Sequence, residues 1–142
     1  MKARKGFTLV ELLIVMAIIA ALLAILVPIA GGAMKRAKVT KIAARMRNVE
    51  QGAEQYLLSE MPDNPCTTDA VDYTGTDYEN DGITLTFNSA SGEIGIKVEC
   101  TADNASMADK IANVLIASYG EDRVSTSTGN KVTLISTVTK FW

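Results

Sequence analysis

One acid stands inside an otherwise apolar run at the start of this chain, and it is the residue whose chemistry most needs explaining. Glu11 is followed by 23 consecutive uncharged residues, Leu12 to Met34. A carboxylate in a bilayer-length apolar segment costs a few kcal/mol or more, so it should have a partner. Elsewhere reactive side chains are few. There is no histidine, which removes Ser-His-Asp and Cys-His catalysis and imidazole metal sites together. Cys66 and Cys100 enclose 33 residues and sit in no CxxC or ligand cluster. Beyond a membrane anchor, in an oxidising compartment, they read as one disulfide, a link worth roughly 3–4 kcal/mol in the chain-entropy picture. Asp77-x-Glu79-x-Asp81-Gly82 has the form of the first half of a calcium loop. Its twelfth position is Asn88 rather than a bidentate Glu, so an acidic, solvated turn accounts for it better. No other cofactor is expected.

Charge is distributed unevenly. Residues 1–60 carry nine Lys/Arg against four Glu, a balance of +5, and residues 61–142 carry five against twelve, a balance of −7. The acidic distal part is a poor match for a nucleic-acid-binding surface, and the aromatics are too scattered to form a stacking platform for bases. Basic residues flank the apolar run on both sides. Lys2, Arg4 and Lys5 fit the positive-inside rule, whereas Lys35, Arg36, Lys38 and Lys41 blunt it. That second cluster most often means contact with anionic lipid headgroups; acidic patches on adjoining copies are the other option.

The apolar run is long enough to span a hydrocarbon core of ~30 Å at about 1.5 Å per residue. Pro28 falls inside it, a kink site that a membrane or a packed bundle tolerates. Ala17, Ala20, Ala21 and Ala24 permit close helix approach. Helical periodicity then continues: Val39, Ile42, Met46, Val49, Ala53 and Tyr56 form an apolar stripe, ended by Pro62, Asn64 and Pro65. Residues 8–60 thus predict one helix of roughly 80 Å, whose second half must cover something. A loop follows from Cys66 to Gly82. Ile83–Phe87 and Ile94–Cys100 alternate as a hairpin about Asn88–Gly92. A helix capped at Ser106, with Asp109 three residues on, stops at Gly120. After the Ser/Thr-rich 124–128 stretch and a Gly129-Asn130 turn, Lys131–Lys140 forms a last strand. The fold class is α+β: a small antiparallel sheet whose apolar face the stripe at 39–56 covers. The Phe141-Trp142 terminus should dock on the head or on a neighbour.

Three readings fit the N-terminal segment. A cleaved secretory signal is opposed by Glu11 and by the amphipathic helix that runs on. A single-span anchor for a receptor or enzyme domain gives no reason for Glu11, and no catalytic constellation supports it. The third follows from Gly6-Phe7-Thr8-Leu9-Val10-Glu11-Leu12-Leu13, which closes a six-residue basic leader and opens the apolar run. That string resembles the class III signal of type IV pilins and pseudopilins. The match covers roughly residues 4–28, with Pro28 where the family favours it.

The resemblance implies a non-catalytic structural subunit. A prepilin peptidase would cut after Gly6 and methylate the new amino terminus at Phe7, and Glu11 would pair with the Phe7 amine of a neighbour. Four segments follow: leader 1–6, apolar transmembrane and filament-core half 7–34, amphipathic half 35–61, and head 62–142. The expected partners are copies of the same chain, the bacterial inner membrane before assembly, the peptidase/N-methyltransferase, and an assembly platform with its motor ATPase. The product would be an extracellular pilus or, for a major or minor pseudopilin of type II secretion, a periplasmic piston; a minor pilin is a further variant. The chain departs from common family patterns at Ala20, where many members have glycine, and at Asn48, where many have proline. Also, 42 residues follow Cys100, whereas many relatives close a disulfide near the C terminus.

Overall fold

The computed structural model describes residues 7–75, 78–90, 92–127 and 129–142. Gly6 and Asp77 lie outside these, as does the rest of the leader. Helix α1 spans Leu9–Glu60 and is assigned without a break through Pro28. Pro28 supplies no N–H, so the carbonyl four residues earlier goes without its helical donor. The chain divides into two compact units, the first ending at Ala37 and the second running Lys38–Trp142. In the first, every described apolar side chain from Phe7 to Met34 is exposed, and Phe7 keeps 83% of its surface.

The second unit is built on the predicted stripe. Val39, Ile42, Met46, Val49, Ala53 and Tyr56 are all buried, joined by Ala43 and Leu57. They belong to one core with the inner face of a four-stranded antiparallel sheet, in which Ile83, Leu85, Ile94, Ile96, Val98, Cys100, Val132 and Leu134 are buried. Strands β1 (Ile83–Ala90), β2 (Glu93–Thr101), β3 (Val124–Ser127) and β4 (Lys131–Thr139) lie in the order β1-β2-β4-β3. Helix α3 (Ala105–Tyr119) contributes Ala108, Ile111, Ala112 and Leu115. Alternation in β2 is strict because one face is in the core and the other in solvent.

Local chemistry moved several boundaries. The hairpin is longer than expected, since Ala90 pairs with Glu93 across a two-residue turn in which Gly92 has φ 89°. Asn104, not Ser106, caps α3: its side chain accepts from Met107 N at 2.9 Å from an extended backbone. The stretch from Val124 is a strand because it pairs with β4, Val124 opposite Leu134, despite its Ser/Thr composition. A one-turn helix, α2 (Val71–Thr74), interrupts the expected loop. At the C terminus Trp142 packs partly into the core, with Phe141 exposed and edge-on to it at 5.1 Å.

Contact between α1 and α2 depends on Gly52. A Cβ there would lie 2.5 Å from the Tyr73 carbonyl oxygen and 3.0 Å from Thr74 Cα, both backbone atoms. Alanine gains about 1 kcal/mol of helix propensity, but overpacking against backbone costs about 1–3 kcal/mol. Gly52→Ala in the detergent-solubilised chain is therefore expected to lower the melting temperature by a few degrees; a rise would mean that α2 simply moves aside.

The expected Cys66–Cys100 disulfide is absent, and both cysteines are free thiols. Their places in the head explain why. Cys66 meets α1 at Tyr56, whose hydroxyl is hydrogen-bonded by the Cys66 backbone. Cys100 Sγ lies 3.9 Å from the carbonyl of Asp81, whose carboxylate pairs with Lys41 at 3.3 Å. Lys41 and Tyr56 are fifteen residues apart on α1, about 22 Å along its axis. A disulfide needs Cα atoms within about 7 Å. Sequence separation alone carried no information about which end of the head each cysteine occupies.

Candidate functional site

Thr8 and Glu11 organise the start of α1. Thr8 is the residue before the first helical position, and its Oγ1 accepts from Glu11 N at 3.3 Å. In return Glu11 Oε2 accepts from Thr8 N and from the Thr8 hydroxyl, each at 2.8 Å. This reciprocal arrangement is a capping box, and it satisfies donors that a helix N terminus leaves without partners. A carboxylate in the first turn also interacts favourably with the helix dipole. The signal was visible as Thr8-x-x-Glu11 directly before an apolar run; reading Glu11 solely as an unpaired acid missed it.

Capping leaves the charge uncompensated. Glu11 bonds through Oε2, and among the described residues no cation pairs with it. Apart from Thr8, its described chain neighbours are apolar, Phe7, Leu9, Val10 and Leu12 onward, all exposed. The surface from Phe7 to Met34 therefore needs an apolar environment, and the carboxylate needs one added positive group within it. A lipid tail supplies the first and not the second.

A family model described as the prokaryotic N-terminal methylation motif matches residues 1–27, the segment that contains the cap and the acid. The chain is 47% identical over 58 residues to the type IV wide pilus major component of Thermus thermophilus, covering 41% of this chain and 44% of that protein. It is 27% identical over 135 residues to the type IV major fimbrial protein of Dichelobacter nodosus, covering 92% of this chain and 81% of that protein. Together with the methylation motif, these likenesses support a relation to the type IV pilins. A fimbrial protein of Pseudomonas aeruginosa is 43% identical over 58 residues, 41% of this chain and 38% of its own. The matches to the Thermus and Pseudomonas proteins thus span less than half of those relatives, whereas the Dichelobacter match extends over most of this chain. No solved structure matches it.

The remaining sequence candidates are dispersed over the head. Asp81 is held by cations rather than offered to a metal: its carboxylate lies 2.8 Å from Arg45 and 3.3 Å from Lys41. Glu79 is exposed in a single 3-10 turn. Among the described residues no group of three or more Asp, Glu, Cys or His is placed to hold a metal ion. The two thiols differ in state. The Thr68 hydroxyl, 2.7 Å from Cys66 Sγ, holds that exposed thiol below its ordinary value. Burial pushes Cys100 up to about 11, with Asp81 and Asp103 adding to it. A maleimide at neutral pH is thus expected to label Cys66 readily and Cys100 only after unfolding. Equal labelling of both in the folded chain would contradict the buried position of Cys100.

One feature of the head escaped the sequence reading. Glu50 is 2% exposed on the core face of α1. Its two oxygens accept from Tyr119 OH at 2.8 Å and from Arg123 Nη2 at 2.5 Å. Arg123 also donates through Nε to the Ile135 carbonyl at 3.0 Å and lies over the Tyr119 ring at 4.8 Å. Burial, and after it the bond to Glu50, pushes the Tyr119 hydroxyl up to about 12. The network ties α1, α3 and β4 together. Its only sequence trace is an acid one residue after the apolar Val49.

Proposed function

We propose that the chain is a structural subunit of a type IV pilus. It is made as an inner-membrane precursor, cut after Gly6, methylated on the Phe7 amine and polymerised into an extracellular helical filament. The observation that carries this reading is the conjunction of Gly6-Phe7 and a charged Glu11 within an entirely exposed apolar helix surface. Before cleavage residue 7 has a peptide nitrogen, which bears no charge. After cleavage it has an amine, and a carboxylate and an ammonium about 4 Å apart in a water-poor bundle attract strongly. Neither is tolerable there alone, so pairing selects processed subunits. Each copy gives its amine to one neighbour and its acid to another, a heterologous contact that does not close and so extends as a filament.

The apolar surface serves both states: it is solvated by lipid in the precursor and by other copies of α1 afterwards. Cutting and methylation need a prepilin peptidase/N-methyltransferase. Extraction from the bilayer needs an assembly platform driven by a motor ATPase. The pilus reading is placed ahead of the pseudopilus because the relatives are named as pilus and fimbrial proteins.

Replacing Gly6 tests the processing step. Gly6→Leu is expected to leave the leader on, with the chain accumulating in the membrane and filament subunits falling below about a hundredth of wild type, the loss expected when a buried charge goes unpaired. Intact mass measurement of the membrane pool reads the first effect and immunoblotting of sheared material the second. Normal filaments from this variant would mean that cleavage at Gly6 is not what releases the amino terminus.

A further inference from the structure

At the C-terminal end of α1 the head carries an open cleft of about 590 Å³ whose lining includes Tyr56, Pro62 and Tyr73 together with the acids Glu60, Asp69 and Asp72. Glu60 is engaged, its Oε1 accepting from Tyr73 OH at 2.8 Å. Nearby, Asp63 is paired with Lys140 at 2.8 Å. Asp69 and Asp72 are exposed, three residues apart, and among the described residues no cation pairs with either. The opposite imbalance sits on α1. Lys38 and Lys41 have Asp103 and Asp81 of their own head as partners, whereas Lys35 has no ion-pair partner among the described residues.

We propose that this cleft is the receiving site for Lys35 of a neighbouring copy in the filament, an assignment that rests on the pilin reading above. A contact that adds subunits head to tail requires two different, complementary surfaces on every chain. An excess of negative charge on one surface and a cation without a partner on another meet that requirement. Half-buried Tyr73 and Pro62 give the four-carbon lysine stem apolar surface to lie on while its ammonium reaches Asp69 and Asp72. Anionic headgroups satisfy Lys35 while the precursor is in the bilayer, but they stay behind when α1 leaves it, and they do nothing for the two aspartates. A second copy satisfies both sides at once.

Charge exchange tests the assignment. The chain is expressed as wild type, as Lys35→Glu, as Asp69→Lys/Asp72→Lys, and with all three substitutions; sheared filament is measured relative to the membrane pool. Like charges facing each other at every repeat are expected to cut filament yield on the order of tenfold for each reversal alone. The combined variant is expected to return to within about twofold of wild type, because the pair is restored with its signs exchanged. Thermal melting confirms that the heads remain folded, as all three positions are exposed. Three results overturn the assignment: single reversals that assemble normally, a combined variant no better than either reversal, or a Lys35→Glu defect confined to membrane retention, which assigns Lys35 to lipid. Absence of even the wild-type chain from filaments overturns the pilin reading as well, so the two failures are told apart by the wild-type lane.

Discussion

Glu11→Gln is expected to insert into the membrane as wild type does and to reach filaments at about a hundredth of the wild-type level. Glutamine is close to isosteric and is itself a capping-box residue. Its amide oxygen can take the bonds that Glu11 Oε2 accepts from Thr8. What it removes is the charge, leaving a neighbour's Phe7 ammonium unpaired in an apolar bundle, a loss of about 3 kcal/mol or more, which is on the order of a hundredfold. Glu11→Leu removes the cap as well and separates the two roles. If glutamine supports normal assembly and leucine does not, Glu11 is a helix cap and the ion-pair account is wrong. The ratio of filament to membrane pool, read for both variants in the same cells, decides.

Arg123→Met is the second large effect, and it falls on the head. Methionine keeps much of the stem and removes the guanidinium, so Glu50 retains Tyr119 but loses its charge partner. Arg123 is itself 38% exposed at its side chain, which holds the expected cost near the bottom of the range for breaking a buried pair, about 3 kcal/mol. For a domain of this size that is a fall in melting temperature of roughly 12–20 °C. Adding Glu50→Gln to Arg123→Met should recover part of the loss, since an uncharged amide is far cheaper to bury alone than a carboxylate. A double variant less stable than Arg123→Met would show that Glu50 acts through Tyr119 rather than through its charge.

The sequence was most informative where one physical constraint set the pattern. The Val39–Tyr56 stripe showed its buried face through helical spacing, and β2 through period-two alternation, because each has one face in the core and one in water. Glu11 was conspicuous because a charge in an apolar run is expensive; its local partner Thr8 was easier to overlook because a capping box costs nothing that needs explaining. Val124–Ser127 shows the limit of propensity: its pairing with β4 makes it a strand although its residues resemble a loop. The cysteines show another limit. Their compartment argued for a bond, but only the axial positions along α1 reveal that they lie near opposite ends of the head. Glu50 and Arg123 are 73 residues apart, and no local pattern announces a long-range ion pair. The cleft at Asp69 and Asp72 is similar, since it requires α2, which the turn-rich composition concealed.

The central claim is that the acid in the apolar helix and the amine created by cleavage are two halves of one assembly contact. Sheared surface filaments, purified and subjected to intact mass measurement and N-terminal fragmentation, test it most directly. The account predicts this chain as a filament subunit beginning at Phe7, with one methyl group on its amino nitrogen. A filament subunit that still carries Met1–Gly6, or surface filaments that lack this chain altogether, would contradict it.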